Sequence, residues 1–285
     1  MASSRPQGRD SAAISPTAFY TGYIWYRNGL SHPAFLTGEG ERLYHLGQPM
    51  MRLSRLVGGP TLEDFLLARH RIIDHLLGQA IDSGRISQVI EIAAGLSPRG
   101  WRFTQRYGKA LTYIEADLPG MAARKRRLLE EAKLMGANHR VVDFDALAVD
   151  GPASLDAIAA TLDPKAGVAV ITEGLLNYLS REAVTGLWQR IATLSRRFPA
   201  GLYLSDIHLL DENRNLFTMA FGALLSVFVR GQVHVHFRSA DTAQKALLAA
   251  GFGNARLISP VGADSPIQDK WQAGARLVRV IDAHD

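Results

Sequence analysis

Five short apolar runs, QVIEIA, LTYIEA, HRVVDF, GVAVIT and GLYLSDI, recur along the chain with helix-length segments between them. That alternation is the strongest constraint on the fold, because parallel strands can be joined only by long crossovers that return over a face of the sheet. Two of the intervening segments, PGMAARKRRLLEEAKLMG and SREAVTGLWQRIATLSRR, have helical patterning, and Ser180 stands where the second needs an N-cap. After a further helix, SADTAQKALLAAGF, closed by Gly251, come two shorter strand candidates, ARLISP and ARLVRVID. The pattern predicts an α/β fold: a doubly wound, mostly parallel seven-stranded sheet with one reversed strand. Ahead of the first strand, TLEDFLLARHRIIDHLL places Leu62, Phe65, Leu66, Ile72, Ile73, Leu76 and Leu77 at helical spacing, with Thr61 and Asp64 as its start signal.

A chain of 285 residues, 47% hydrophobic, is long enough to bury a full core. Its net charge of +5 is dispersed except for Arg124-Lys125-Arg126-Arg127. With no interleaved aromatics, that run reads as a solvated helix face, so neither nucleic acid nor membrane is an expected partner. The absence of cysteine excludes disulfides, thiolate metal sites and cysteine nucleophiles, and makes a reducing cytoplasm the default compartment. The apolar stretch from Leu216 to Val229 is too short to span a bilayer and reads as a buried helix or a pocket wall. The expected organisation is a flexible tail over 1–16, a lid and helical segment over 17–84, and a catalytic domain over 85–285 with an insertion near 209–238.

Ligands of such sheets sit beyond the carboxyl ends of the strands. The first strand runs into Ala93-Ala94-Gly95, in the stretch VIEIAAGLSPRG. The second ends at Glu115 and Asp117, the third at Asp143 and Phe144, the fourth at Glu173. An ionised carboxylate can accept both hydroxyls of a ribose, another an exocyclic amine, while a phenyl ring suits a flat base. Any one of these acids reads equally well as a cap or a solvated residue; the series is what points to a nucleoside bearing positive charge. A pyrophosphate cofactor calls for a G-x-G-x-x-G turn, and AAGLSPRG lacks that spacing. S-adenosylmethionine, with adenine, ribose, a sulfonium and an amino acid, suits the edge.

From about Phe65 to Asp206 the sequence resembles the leucine carboxyl methyltransferase-like proteins, a branch of the class I S-adenosylmethionine-dependent methyltransferases that includes polyketide-type O-methyltransferases. The matching pieces are LARHRIIDHLL, EIAAGLSPRGWRF, YIEADLPGMAARKRRLL and ITEGLLNYLS. The resemblance implies that Arg69 pairs the cofactor carboxylate and that Gly95 admits the methionine portion. It further implies that Asp117 takes the ribose, Asp143 and Phe144 address adenine, and Glu173 lies near the cofactor's amino group. Glu91, in the same glycine motif, is grouped with these cofactor-binding residues. The motif departs from the family in having Ala93 where glycine is common and Ser97-Pro98 in place of an Asp-Thr pair.

Methyl transfer is an in-line displacement at carbon, so the protein must position two reactants and exclude water. A carboxylate acceptor needs no base, whereas a hydroxyl benefits from one. His208, just past the fifth strand, is the base candidate, its alternative being a rim histidine bonded to backbone. Tyr178 is placed over the methyl or against the acceptor, or else in the core, and Asp206 either supports the site or caps a helix. His234 and His236 alternate with valines but have no third ligand, so no metal is expected. His70 and His75, five apart, read as ordinary surface or packing residues. Tyr20, Tyr23, Trp25 and Tyr26 are expected to form a lid over the acceptor, with a strap packed near Phe65 as the other reading. The function expected is an O-methyltransferase acting on a carboxylate or hydroxyl of a small molecule of secondary metabolism. Two alternatives are a binding protein of the same fold that has lost transfer or uses the sulfonium otherwise, and a methylase of protein carboxyl groups.

Overall fold

The computed structural model describes residues 16–56, 59, 61–212, 234–259, 261 and 272–285. Seven strands form one sheet: β1 (Gln88–Ile92), β2 (Thr112–Asp117), β3 (His139–Asp143), β4 (Val168–Thr172), β5 (Gly201–Ile207), β6 (Asn254–Ile258) and β7 (Arg279–His284), in the order β3-β2-β1-β4-β5-β7-β6. The first five pair in parallel, and β7 is antiparallel to both β5 and β6. The doubly wound, mostly parallel α/β architecture legible in the alternation is therefore the one present. Among the described residues no helix is long and apolar enough to cross a membrane. The stretch 216–229 lies outside the described residues.

Because successive side chains of a strand point to opposite faces, the sheet divides its core in two. On one face Val89, Tyr113, Ile171 and Leu204 pack beneath α1 (Pro16–Arg27), α2 (Gly38–Leu56) and α3 (Leu62–Asp82). α4 (Arg99–Tyr107) and α5 (Pro119–Glu131) complete that layer beside β2 and β3. On the other face Ile90, Ile92, Ile114 and Val170 pack against α6 (Leu155–Ala159), α7 (Arg181–Ser195) and α8 (Ala240–Ala250). A short α9 (Gln272–Ala275) packs on α3.

The helix starts follow local chemistry. Thr61 and Asp64 close a capping box on α3, and Ser180 accepts the Ala183 N–H at the start of α7. α8 ends at Gly251 with φ 113°, a left-handed conformation that costs an L side chain.

The aromatic segment becomes core. Tyr20 and Tyr23 lie 6.3 and 5.0 Å from the Tyr44 ring of α2, and Trp25 lies 4.8 Å from the His70 ring of α3. Tyr20, Tyr23 and Trp25 are buried and Tyr26 half-buried, so these rings join three helices instead of walling an open cleft. What α1 lays over the strand ends is its first turns: Ala18 and Phe19 pack with Leu96 and Met121.

The basic run lies at the surface except at one position. Lys125 is 1% exposed, with Nζ 2.8 Å from Glu115 Oε2 while donating to the Ser97 carbonyl at 2.8 Å. Arg126 pairs with Asp143 at 3.0 Å, and Arg124 lies over the Phe19 ring. Helical periodicity turns Lys125 inward, where its charge is matched by the acid of the neighbouring strand.

Burial alone would raise the Glu115 carboxyl, but Lys125 and His139 outweigh it and hold it below its ordinary value of 4.5. A carboxyl depressed on folding contributes stability that is full above the unfolded value and lost as pH falls through the folded one. Lys125→Met should cost about 3–5 kcal/mol by stranding Glu115, and the double variant with Glu115→Leu should recover most of that loss in urea denaturation. The double variant should also lose less stability than the native protein between neutral pH and pH about 3, since it no longer carries the depressed group.

Candidate functional site

Strand register decides which side chains share the carboxyl edge. Asp143 stands opposite Asp117, Ala116 opposite Ile92, Ile92 opposite Thr172, and Thr172 opposite Ser205. The next position along each strand therefore gives a row across five strands: Asp143, Asp117, Ala93, Glu173 and Asp206. The acids singled out from the sequence do lie along one edge, beside Gly95.

The glycine loop at the centre of the row is braced by Asp117. Its Oδ2 accepts the Gly95 N–H at 2.7 Å and its Oδ1 the Leu118 N–H at 2.8 Å. Each oxygen keeps a further lone pair for a ligand hydroxyl. Burial pushes the Asp117 carboxyl up despite those two bonds. Gly95 has φ 51°, natural for glycine, and the preceding Ala93 has φ 54°. An L residue there costs about 1–2 kcal/mol, so Ala93, at the place where the resembling family commonly has glycine, is strained.

Beyond the loop, acid and base pair with each other. Arg69, on α3, donates from Nε to Glu173 Oε1 at 3.1 Å and from Nη1 to Asp206 Oδ2 at 3.0 Å. Gly174, φ 71°, gives it room: a Cβ there would sit 2.9 Å from Arg69 Nη2. Asp206 Oδ1 accepts the Gly174 N–H at 2.6 Å, so this acid supports the site and does not cap a helix.

Arg99, wholly buried at the start of α4, holds three carboxylates. Its Nε donates to Asp74 at 2.6 Å, its Nη1 to Glu91 at 2.5 Å, and its Nη2 to Glu173 Oε2 at 2.5 Å. Glu91 also accepts the Tyr113 hydroxyl at 2.6 Å, and Asp74 binds Arg102 at 2.6 Å. His70 Nδ1 lies 2.9 Å from Glu173 Oε2 and 2.8 Å from Arg99 Nη2. Burial would raise Glu173, but His70, Arg99 and Arg69 together hold it far below the usual carboxylate range.

Several sequence expectations change here. Glu91 is buried within β1 with both oxygens engaged, so it braces Arg99 underneath the loop and does not face a ligand. Glu173 is in the row but is no open acid, since both of its oxygens are engaged by cationic partners. His70 is no ordinary packing residue, and neither is Arg99, to which the stretch VIEIAAGLSPRG by itself gives no role. Its signal was an arginine between a buried strand and a helix, which needs an acid partner. Phe144 is buried among Ile92, Ala116 and Leu155, while Asp143 is 49% exposed beside Arg126. Asp143 therefore stands at the open edge, paired with Arg126, and the Phe144 ring lies in the core.

His208 Nδ1 lies 3.1 Å from the Leu277 carbonyl, an arrangement that needs a proton on Nδ1 and leaves the Nε2 lone pair available. Burial pushes its pKa down. Tyr178 is 37% exposed, with its hydroxyl 3.5 Å from Thr17 Oγ1 of α1. His234 and His236 stack at 5.9 Å, and His236 Nε2 lies 3.0 Å from the Leu176 carbonyl. Among the described residues no group of three acidic or histidine side chains is placed to hold a metal ion.

In fold the chain is similar to a Thermobifida fusca protein bearing a methyltransferase name (TM-score 0.63, 12% identity, 99% of each chain). It is equally similar to a DUF574 family protein from Streptomyces avermitilis (TM-score 0.63, 15% identity, 97% of this chain and 100% of that one). Two sequence relatives bear the name S-adenosyl-L-methionine-dependent methyltransferase. The Mycobacterium leprae protein is 36% identical over 125 residues, 44% of this chain and 39% of the relative. The Rhodococcus jostii protein is 35% identical over 141 residues, 49% of this chain and 46% of the relative. The matched region thus spans less than half the length of either relative. The family model described as leucine carboxyl methyltransferase matches residues 41–192, which take in α3, the glycine loop, the Asp117 brace and the whole Glu-Gly-Leu segment. That match covers more than half of the chain, and the chain belongs to the leucine carboxyl methyltransferase family.

Proposed function

We propose that this chain binds S-adenosylmethionine along the carboxyl edge of β1–β4 and transfers its methyl group to an oxygen of a small molecule, a carboxylate or a hydroxyl of secondary metabolism. The observation that carries the reading is the charge pattern at Arg69. This guanidinium can pair a ligand carboxylate, and it stands between two acids, Glu173 and Asp206, that can take an ammonium. Around it, among the described residues, the carboxylates of Asp74, Glu91, Glu173 and Asp206 face the guanidiniums of Arg69, Arg99 and Arg102. His70 stands against Glu173, Arg71 lies near Asp74, and His208 lies near Asp206, so acid and base are interleaved along the cluster. A ligand with a sulfonium, an ammonium and a carboxylate carries groups of both signs that such an arrangement can pair. Asp117 is set for the ribose and Asp143 for the adenine amine.

Transfer itself asks for alignment and dryness. α1 lies across the glycine loop, and Tyr178 stands at the rim beside it, where it can orient the acceptor. For a hydroxyl acceptor His208 is the base, with Nδ1 pinned by Leu277 and Nε2 unprotonated. A second reading, a binding protein without transfer, is favoured by the strained Ala93 in the glycine motif.

Calorimetry with S-adenosylmethionine tests the cofactor, and release of labelled methyl into a panel of acids and phenols tests the reaction. Binding with no transfer to any member would favour the second reading; no heat at millimolar cofactor would remove the first. Asp117→Ala should weaken cofactor binding by about 1–3 kcal/mol, the range for hydrogen bonds to a charged group, in a protein whose far-UV dichroism is unchanged. With a hydroxyl acceptor, His208→Gln should slow kcat about 10²–10⁴-fold, whereas a carboxylate acceptor should be little affected. Because burial lowers the His208 pKa, the native rate on hydroxyls should stay level from neutral pH down past the ordinary 6.5 and decline only below it.

A further inference from the structure

We infer that Arg99 is a positioning residue: it clamps one oxygen of Glu173 so that the other stays fixed for the ammonium of an amino-acid-bearing ligand when Arg69 turns to that ligand's carboxylate. This rests on the function proposed above and assigns a role to a residue that touches no ligand. Arg99 is 0% exposed, so nothing bound at the strand ends can reach it. Its three donor nitrogens meet acids from three different elements: Asp74 on α3, Glu91 on β1 and Glu173 after β4. The first two are themselves held, Asp74 by Arg102 and Glu91 by the Tyr113 hydroxyl.

The division of labour at Glu173 is the decisive geometry. Oε2 faces Arg99 and His70, and Oε1 faces Arg69. Arg69 has a second acid, Asp206, and so can release Oε1 without losing all its charge compensation. Without Arg99, His70 alone would hold Oε2, so a carboxylate freed from Arg69 would be less firmly fixed, and its affinity for the ammonium would carry more of the entropy of fixing it. A planar fork with donors in three directions performs this task; a lysine head in the same space keeps the charge but cannot span three acids.

The test compares two probes by calorimetry: S-adenosylhomocysteine, which has the ammonium and carboxylate, and 5′-methylthioadenosine, which lacks both. Arg99→Lys should weaken S-adenosylhomocysteine about tenfold and 5′-methylthioadenosine less than about twofold, the first being the cost of losing an oriented hydrogen bond to a charge. In a Glu173→Gln background the same substitution should have no further effect on S-adenosylhomocysteine. Equal weakening of both probes, no weakening of either, or a full additional effect in the Glu173→Gln background overturns the positioning role and leaves the proposed function standing. Native protein that binds neither probe overturns both. Should Arg99→Lys fail to unfold cooperatively, Asp74→Asn, which loosens Arg99 from the far side, takes its place with the same outcomes and a smaller loss of about threefold.

Discussion

Burying the Arg99 guanidinium obliges three separate elements to come to it. An unpaired charge in that position costs several kcal/mol, and the cost is offset only when the geometry is good and the donors are filled. Asp74, Glu91 and Glu173 fill them, which fixes α3 against β1 and β4 at the edge where the glycine loop emerges. Glu173 and Asp206 then hold Arg69, and Gly174 allows the approach. Remove the central guanidinium and three acids on three elements repel one another. Such a cluster contributes orientation more than stability, since apolar replacements of buried ion pairs are often as stable.

The loop is held from two other sides. Asp117 accepts its Gly95 N–H, and the buried Lys125 donates to its Ser97 carbonyl. Phe19 of α1 packs on Leu96 from above. A loop fastened at three points can carry a strained residue, and Ala93 at φ 54° is that residue. The same fastening fixes Asp117, opposite which Asp143 stands on the neighbouring strand.

Much of this could be read from the linear chain because it depends on near neighbours. The period of two in the strands, the Thr61–Asp64 and Ser180 caps, the turn at Gly251 and the acids at strand ends are local signals. What the linear chain did not show has a common cause. Glu91, Glu173 and Asp117 look alike as acids after apolar runs, yet one lies beneath the loop, one is enclosed by cations and one braces a glycine. Their partners Arg99, Arg69 and His70 are separated from them in sequence, by 104 residues between Arg69 and Glu173. Likewise Tyr20, Tyr23 and Trp25 announced aromatic density but not its destination, since Tyr44 and His70, against which they pack, belong to other helices.

The order of elements, the parallel sheet with its reversed strand and the line of strand ends on which a ligand would rest follow from the sequence alone, because periodicity and crossover length allow few other arrangements. Which acids are spent on arginines and which are left to meet a ligand was decided by the tertiary structure. The physical reason is desolvation: inside the fold a carboxylate must find a cation or hydrogen-bond donors within about 3 Å or lose its charge, and only the packing of α3, α4 and the sheet determines which partners come that close.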